Sequence, residues 1–204
     1  MSVNPDAALP LEERMRRTIT WYRVPLMAIA TFAIVSLIHD SHAFWWGVPI
    51  AILGELIQMW AGSHLHKDKH LTISGPYSHV RNPMYVGRFV LGLGFFIMTW
   101  NPYLIGGYVV LFAAYAHMRV SREEERLREI FKPRYQQYCS EVRRWLPGIK
   151  PYSQSEPRRA SWRQVCANHE QINMIGLLVV LAAVYLRVDR FGEYYLQFWS
   201  VHHP

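Results

Sequence analysis

The chain has 204 residues, of which 51% are apolar, and a formal net charge of +7. Its length allows one or two domains, and a mean hydropathy of −0.02 conceals nearly uncharged apolar runs that alternate with charge-dense ones. That division argues against nucleic-acid binding, because membrane topology and attraction to anionic lipid head groups account for the basic charge.

Windows of about 20 residues, long enough to cross roughly 30 Å of hydrocarbon, predict five transmembrane helices. They run from Trp21 to Ile38, Ala43 to Trp60, Met84 to Trp100, Pro102 to Met118 and, as a short span, Ile172 to Leu186. The expected fold class is therefore all-α, an integral membrane helical bundle. Ahead of the first span, residues 1–20 read as an interfacial segment, with Leu9 to Thr20 patterned as an amphipathic surface helix. No charged-then-apolar segment with a small-residue cleavage site opens the chain, so no secretory signal is expected.

The connection His39-Asp40-Ser41-His42 is short enough to make residues 21–60 a transmembrane hairpin, with Trp45 and Trp46 in an aromatic belt. In the second span Glu55 and Gln58 share one face, and an ionisable group at that depth costs about 2.5–3.5 kcal/mol on insertion scales. That face is expected to look inward. Next comes a polar stretch, Ser74 to Gly87, punctuated by Gly and Pro. Gly87, Gly92 and Gly94 in the third span, and Gly106 and Gly107 in the fourth, fit close helix approach or room for a ligand. Trp100-Asn101-Pro102 predicts a tight reversal that makes the third and fourth spans antiparallel neighbours.

From Arg119 to Ile130 the sequence reads as a charged helix, ended at Phe131-Lys132-Pro133 because Pro disfavours helix in the residue before it. Pro147 to Trp162 reads as a loop. Lys67, Lys69 and Arg81, the twelve Lys/Arg between Arg119 and Arg163, and Arg14, Arg16, Arg17 and Arg23 fall on one face of a five-span bundle. The positive-inside rule makes that face cytoplasmic, with the N-terminus on it. Cys139 and Cys166 fit neither zinc-site nor disulfide spacing. His64, His66 and His70 are close in sequence, but His39, His42, His202 and His203 fall on the opposite face, so no metal site is expected.

The segments Ser74-Gly-Pro-Tyr77, Arg81-Asn-Pro-Met-Tyr85 with Gly87, Glu123-Glu124, and Leu127, Phe131, Tyr135, Tyr138, Val142, Arg144 and Pro147 together resemble the integral-membrane methyltransferases. That family includes isoprenylcysteine carboxyl methyltransferase and the phospholipid N-methyltransferases. The match runs from about Leu71 to Pro147 and implies a bundle whose cytosolic end holds S-adenosylmethionine while a lipophilic acceptor, a lipid or a prenylated small molecule or protein, enters from the bilayer. By matching position it implies a cofactor set of Leu71, Tyr77, Arg81, Asn82, Pro83, Tyr85, Glu123 and Glu124. Residues 61–150 would be the methyltransferase core, 151–170 a linker, and 171–204 a C-terminal transmembrane helix with an aromatic tail. The chain departs from the family pattern at Asn82, usually His, at Lys69, where a His is frequent, at Lys132, usually Gly, and at Arg143, usually Pro.

Methyl transfer from a sulfonium is a one-step displacement, governed by alignment and exclusion of water. Carboxylates suit ribose hydroxyls, aromatic faces such as Tyr77 or Tyr85 attract a sulfonium, and Arg81 or Arg144 can grip a carboxylate. Arg144, Glu55 and Arg81 are the catalytic candidates, with Glu55 orienting the acceptor or taking a proton if the acceptor is an amine. Plainer readings stand beside these: a capping box of Ser121 with Glu124, head-group contacts for the arginines, helix packing for Glu55 with Gln58, and interfacial anchoring for the tyrosines. A non-catalytic lipid-binding bundle is the reading from another class. The motifs lie on the cofactor side, so carboxylate, amine and thiol acceptors stay open, and oligomeric state has no signal in the sequence.

Overall fold

The structure, a computed structural model, describes residues 29–66, 70–156 and 158–191. The predicted interfacial segment, residues 21–28 of the first expected span, and the aromatic tail beyond residue 191 lie outside the described residues. The described residues fall into two compact units that divide between residues 37 and 38. Residues 29–36 of the first are helical.

All regular structure described in the second unit is helical. Its helices are α1 (Ser41–His64), α2 (Pro83–Met98), α3 (Pro102–Ile130), α4 (Arg134–Glu141), α5 (Trp162–Ala167) and α6 (Glu170–Leu186). Asp40 caps α1 by accepting from the Ala43 N–H at 2.7 Å. Asn101 caps α3, its Oδ1 accepting from Tyr103 and Leu104 at 3.0 and 3.2 Å, while Trp100 takes a left-handed φ of 51° to close the reversal. The predicted fourth span and charged helix are one continuous helix, so Ser121 lies inside α3 and the capping-box reading fails. A short helix, α5, stands where a linker was expected.

By length and composition two described helices can cross a membrane, Pro102–Ile130 and Glu170–Asp189, and Pro83–Met98 is a shorter apolar helix. Apolar side chains such as Val110, Leu111, Ile175 and Val179 lie exposed on α3 and α6.

The closest packing is between α1 and α2, and glycine makes it possible. A Cβ on Gly54 would strike the Leu91 backbone, one on Gly94 would lie 2.5 Å from the Ala51 nitrogen, and one on Gly87 would lie 2.8 Å from the Gly54 carbonyl. Helix α3 joins through Tyr108, which stacks on Phe96 at 4.5 Å and packs its hydroxyl against Gly92. Gly106 and Gly107, by contrast, have no neighbour that a methyl group would meet.

Gly54→Ala should therefore lower the thermal midpoint in detergent, at a cost of about 1–3 kcal/mol for a core overpacked against backbone. Gly106→Ala, with open space around it, should leave the midpoint unchanged or raise it, since alanine is the better helix former.

Candidate functional site

The chemistry-bearing segments meet where α1 ends and α2 begins. Gly75 adopts a left-handed φ of 57°, and the His64 ring fills the space that a Cβ there would need. His64 Nδ1 lies 3.1 Å from Ser74 Oγ, tying the turn Gly75–Ser78 to the end of α1. From the other side the chain returns along 143–152. The Arg81 N–H donates to the Arg143 carbonyl at 2.9 Å, Gly148 N–H to the His79 carbonyl at 2.8 Å, and Tyr152 N–H to the Ser78 carbonyl at 2.8 Å. Pro83 starts α2 at a position where its missing N–H costs nothing.

Glu124 stands at the centre of this arrangement, 2% exposed. Its Oε2 accepts from Arg144 Nε at 3.1 Å and NH2 at 2.8 Å. Its Oε1 accepts from Asn82 Nδ2 at 3.2 Å and lies 3.6 Å from Arg81 Nε. Asn82 also donates to the Arg144 carbonyl at 3.3 Å. One carboxylate thus joins α3, the Arg81-Asn82-Pro83 turn and the returning 143–148 segment. Asn82, at the position where the family pattern has His, serves here as an amide donor.

Beside this knot lies a cavity of about 470 Å³. That size is within the range of small-molecule sites, about 300–1,000 Å³. Of the residues singled out in the sequence, Leu71, Tyr77, Arg81, Asn82, Tyr85 and Glu123 line it. The Tyr85 hydroxyl donates to Glu123 Oε2 at 3.4 Å, and the Arg88 guanidinium sits 5.3 Å from the centre of the Tyr85 ring. Tyr138 donates to the Tyr77 carbonyl at 2.6 Å. Burial pushes both the Tyr77 and Tyr138 phenols up, so both stay protonated and Tyr138 remains a donor.

Glu124, Arg144, Pro83 and Glu55 are not on the cavity wall. The first three hold its frame. Glu55 is buried in α1, with Oε2 accepting from Gln58 at 3.1 Å and Oε1 unpartnered. The helix-packing reading of the Glu55 and Gln58 face accounts for that contact.

The cavity also has residues that sequence reasoning passed over: Arg88, Arg119, Asn168, Glu170 and Asn173 among them. Arg88 carried a usable signal, a cation inside an apolar run, by the same logic that singled out Glu55. Asn168, Glu170 and Asn173 form a polar string at the head of the last apolar run, a signal weaker than a motif.

A potential S-adenosylmethionine site can be tested against this wall. Arg81 Nε is buried without a hydrogen bond, and guanidinium groups, a carboxylate and tyrosine rings converge on one space. A ligand carrying a carboxylate, hydroxyls, a flat ring and a positive charge fits that donor and acceptor set.

The family described as phospholipid methyltransferase matches residues 26–134. Protein-S-isoprenylcysteine O-methyltransferase from Xenopus laevis is 31% identical over 116 residues, covering 51% of this chain and 40% of that protein. The Tribolium castaneum protein of the same name is 30% identical over 118 residues, covering 52% and 42%. The match therefore spans less than half the length of these two relatives. The cobalt-zinc-cadmium resistance protein CzcN of Cupriavidus metallidurans is 26% identical over 168 residues, covering 74% of this chain and 76% of its own. Among solved structures, the eukaryotic intramembrane Ras methyltransferase ICMT aligns with a TM-score of 0.50 and 25% identity over 64% of this chain and 54% of that one.

Removing one side of the central ion pair gives a direct test. Glu124→Leu leaves the part-buried Arg144 and Arg81 guanidinium groups without their carboxylate, and should destabilise the fold by about 2–4 kcal/mol, somewhat below the cost of breaking a fully buried pair. Glu125→Leu breaks only the exposed pair with Arg128, and should cost less than about 1 kcal/mol. Thermal midpoints of the two variants in the same detergent distinguish these roles.

Proposed function

From the premise that this chain belongs to the phospholipid methyltransferase family, we propose that it is an integral membrane methyltransferase that uses S-adenosylmethionine to methylate a lipophilic acceptor. The reading is carried by the convergence of the Leu71–Tyr77 segment, the Arg81-Asn82 turn and Glu123 on one cavity beside the apolar bundle. It is supported by relatives named for O-methylation of protein S-isoprenylcysteine. A prenylated carboxylate is accordingly the first acceptor to test, with amine-bearing lipids and small thiols next.

S-adenosylmethionine, when bound, would supply an electrophilic methyl group on a sulfonium. The chain's own task is then to hold and shield. Arg81 and Arg88 offer guanidinium groups to a carboxylate, Glu123 accepts hydroxyl donors, and the Tyr77 and Tyr85 rings offer aromatic faces to a cation. Glu124, through Arg144 and Asn82, fixes the turn that carries Arg81 and so sets the alignment on which a displacement depends. Glu55, with one oxygen unpartnered, is the candidate to orient the acceptor or receive a proton from it.

The exposed apolar faces of α3 and α6 and the placement of Lys and Arg support a multi-pass bundle with five spans. In that topology the N-terminus and the cavity face the cytoplasm.

Calorimetric titration of S-adenosylhomocysteine into the purified protein should show saturable binding. Glu123→Gln should weaken it about tenfold, the size expected for a lost hydrogen bond to a charged group. Label from methyl-labelled S-adenosylmethionine should appear in a prenylcysteine analogue or in a total lipid extract. Binding without any labelled product would favour the non-catalytic lipid-binding reading, and absence of both would remove the assignment.

A further inference from the structure

The cavity is completed by residues beyond the family match, which ends at residue 134. Gln164 Nε2 donates to the Leu65 carbonyl at 2.6 Å, and Asn168 Nδ2 donates to the Gly62 and Leu65 carbonyls at 2.8 and 3.1 Å. These amides add hydrogen bonds to carbonyls at the end of α1, where helical partners run out. His169 then takes a left-handed φ of 62°, and α6 begins at Glu170.

Glu170 is 4% exposed and lines the cavity. Its Oε2 accepts from Asn173 Nδ2 at 3.1 Å. Its methylene packs on Gly62, where a Cβ would come within 2.6 Å of Glu170 Cγ. Among the described residues, no cation forms an ion pair with it. A buried carboxylate whose only shown partner is a neutral amide is costly. A cationic ligand in the cavity would offset that cost.

The position of Glu170 narrows which cation. It stands where the C-terminal end of α1 meets the N-terminal end of α6, so both helices lead away from it into the apolar bundle. If the acceptor lies among these helices, as proposed above, the reactive end of the methyl donor must face them. Tyr77, on the same cavity, lies within electrostatic reach of both Glu170 and Glu123. The buried Tyr77 ring and the Glu170 carboxylate are two cation-attracting groups on the wall of one cavity.

Resting on the donor proposed above, we infer that Glu170, positioned by Asn173 and Gly62, is the carboxylate that attracts the sulfonium of S-adenosylmethionine. S-adenosylhomocysteine keeps the carboxylate, ammonium, ribose and adenine of that ligand but lacks the methyl group and so has a neutral sulfur. A residue that reads the sulfonium must separate the two.

The test is a pair of titrations, S-adenosylmethionine and S-adenosylhomocysteine, on wild type, Glu170→Gln and Glu170→Asp, without acceptor. Glu170→Gln should weaken S-adenosylmethionine about tenfold while S-adenosylhomocysteine changes less than about threefold. Glu170→Asp, which keeps the charge, should preserve the wild-type ratio even if both affinities fall, and Glu170→Ala, which removes it, should shift the ratio as Glu170→Gln does and stands in if the Gln variant does not fold. Equal weakening of both ligands by Glu170→Gln, or loss of the ratio in Glu170→Asp, overturns the inference and leaves the donor assignment intact. Wild type that binds neither ligand overturns both.

Discussion

The buried carboxylate of Glu124 is the contact on which the site depends. Its two oxygens meet Arg144, Asn82 and Arg81, which come from segments up to 63 positions apart in the chain. Several kcal/mol are needed to dry out such charges, and the cost is offset only when geometry and hydrogen bonding are both good. Here Arg144 meets Oε2 with two nitrogens and places a third contact on Ser121 Oγ at 3.2 Å. The arrangement specifies one registration of turn against helix, and the cavity wall inherits that registration through Arg81 and Asn82.

A second constraint comes from the bundle. Close approach of α1 to α2 through Gly54, Gly87 and Gly94 brings the end of α1 beside the start of α2. The Ser74–Tyr77 turn has to fit in the gap, and Gly75 fits because it carries no side chain to compete with His64. Helix packing without large side chains is the usual route to tight contact in an apolar solvent, where burial of hydrocarbon offers no advantage. Here the same feature sets the width of a polar site at the edge of the bundle.

Much of this was legible in the sequence because it was local. The apolar runs located α1, α2 and α6 to within a few residues and the start of α3, Asn101-Pro102 marked the reversal, and Pro133 marked the end of α3, whose charged half was read as a separate helix. The division of labour between Glu123 and Glu124 was not legible. Neighbours on a helix differ by about 100° in direction, and only the placement of Arg144 and Tyr85 decides that one faces inward and the other faces the cavity. Glu170 was hidden for a related reason. Its seat on Gly62 joins positions 108 apart, and a polar string before an apolar run looks the same whether it is solvated or folded over a helix end.

The location of the cavity follows from where polar groups are obligatory. The last carbonyls of α1 and the first N–H groups of α6 lack helical partners and need hydrogen bonds whatever else the protein does. Gln164 and Asn168 already satisfy carbonyls there. Adding Glu170, Arg81 and Tyr77 at the same level extends a polar layer that exists in any case, whereas the same groups in the middle of the helices would interrupt an apolar face. The helix ends are therefore the least costly level at which an apolar bundle can hold a charged, water-soluble ligand. They are also the level at which such a ligand lies within reach of a molecule held among the helices.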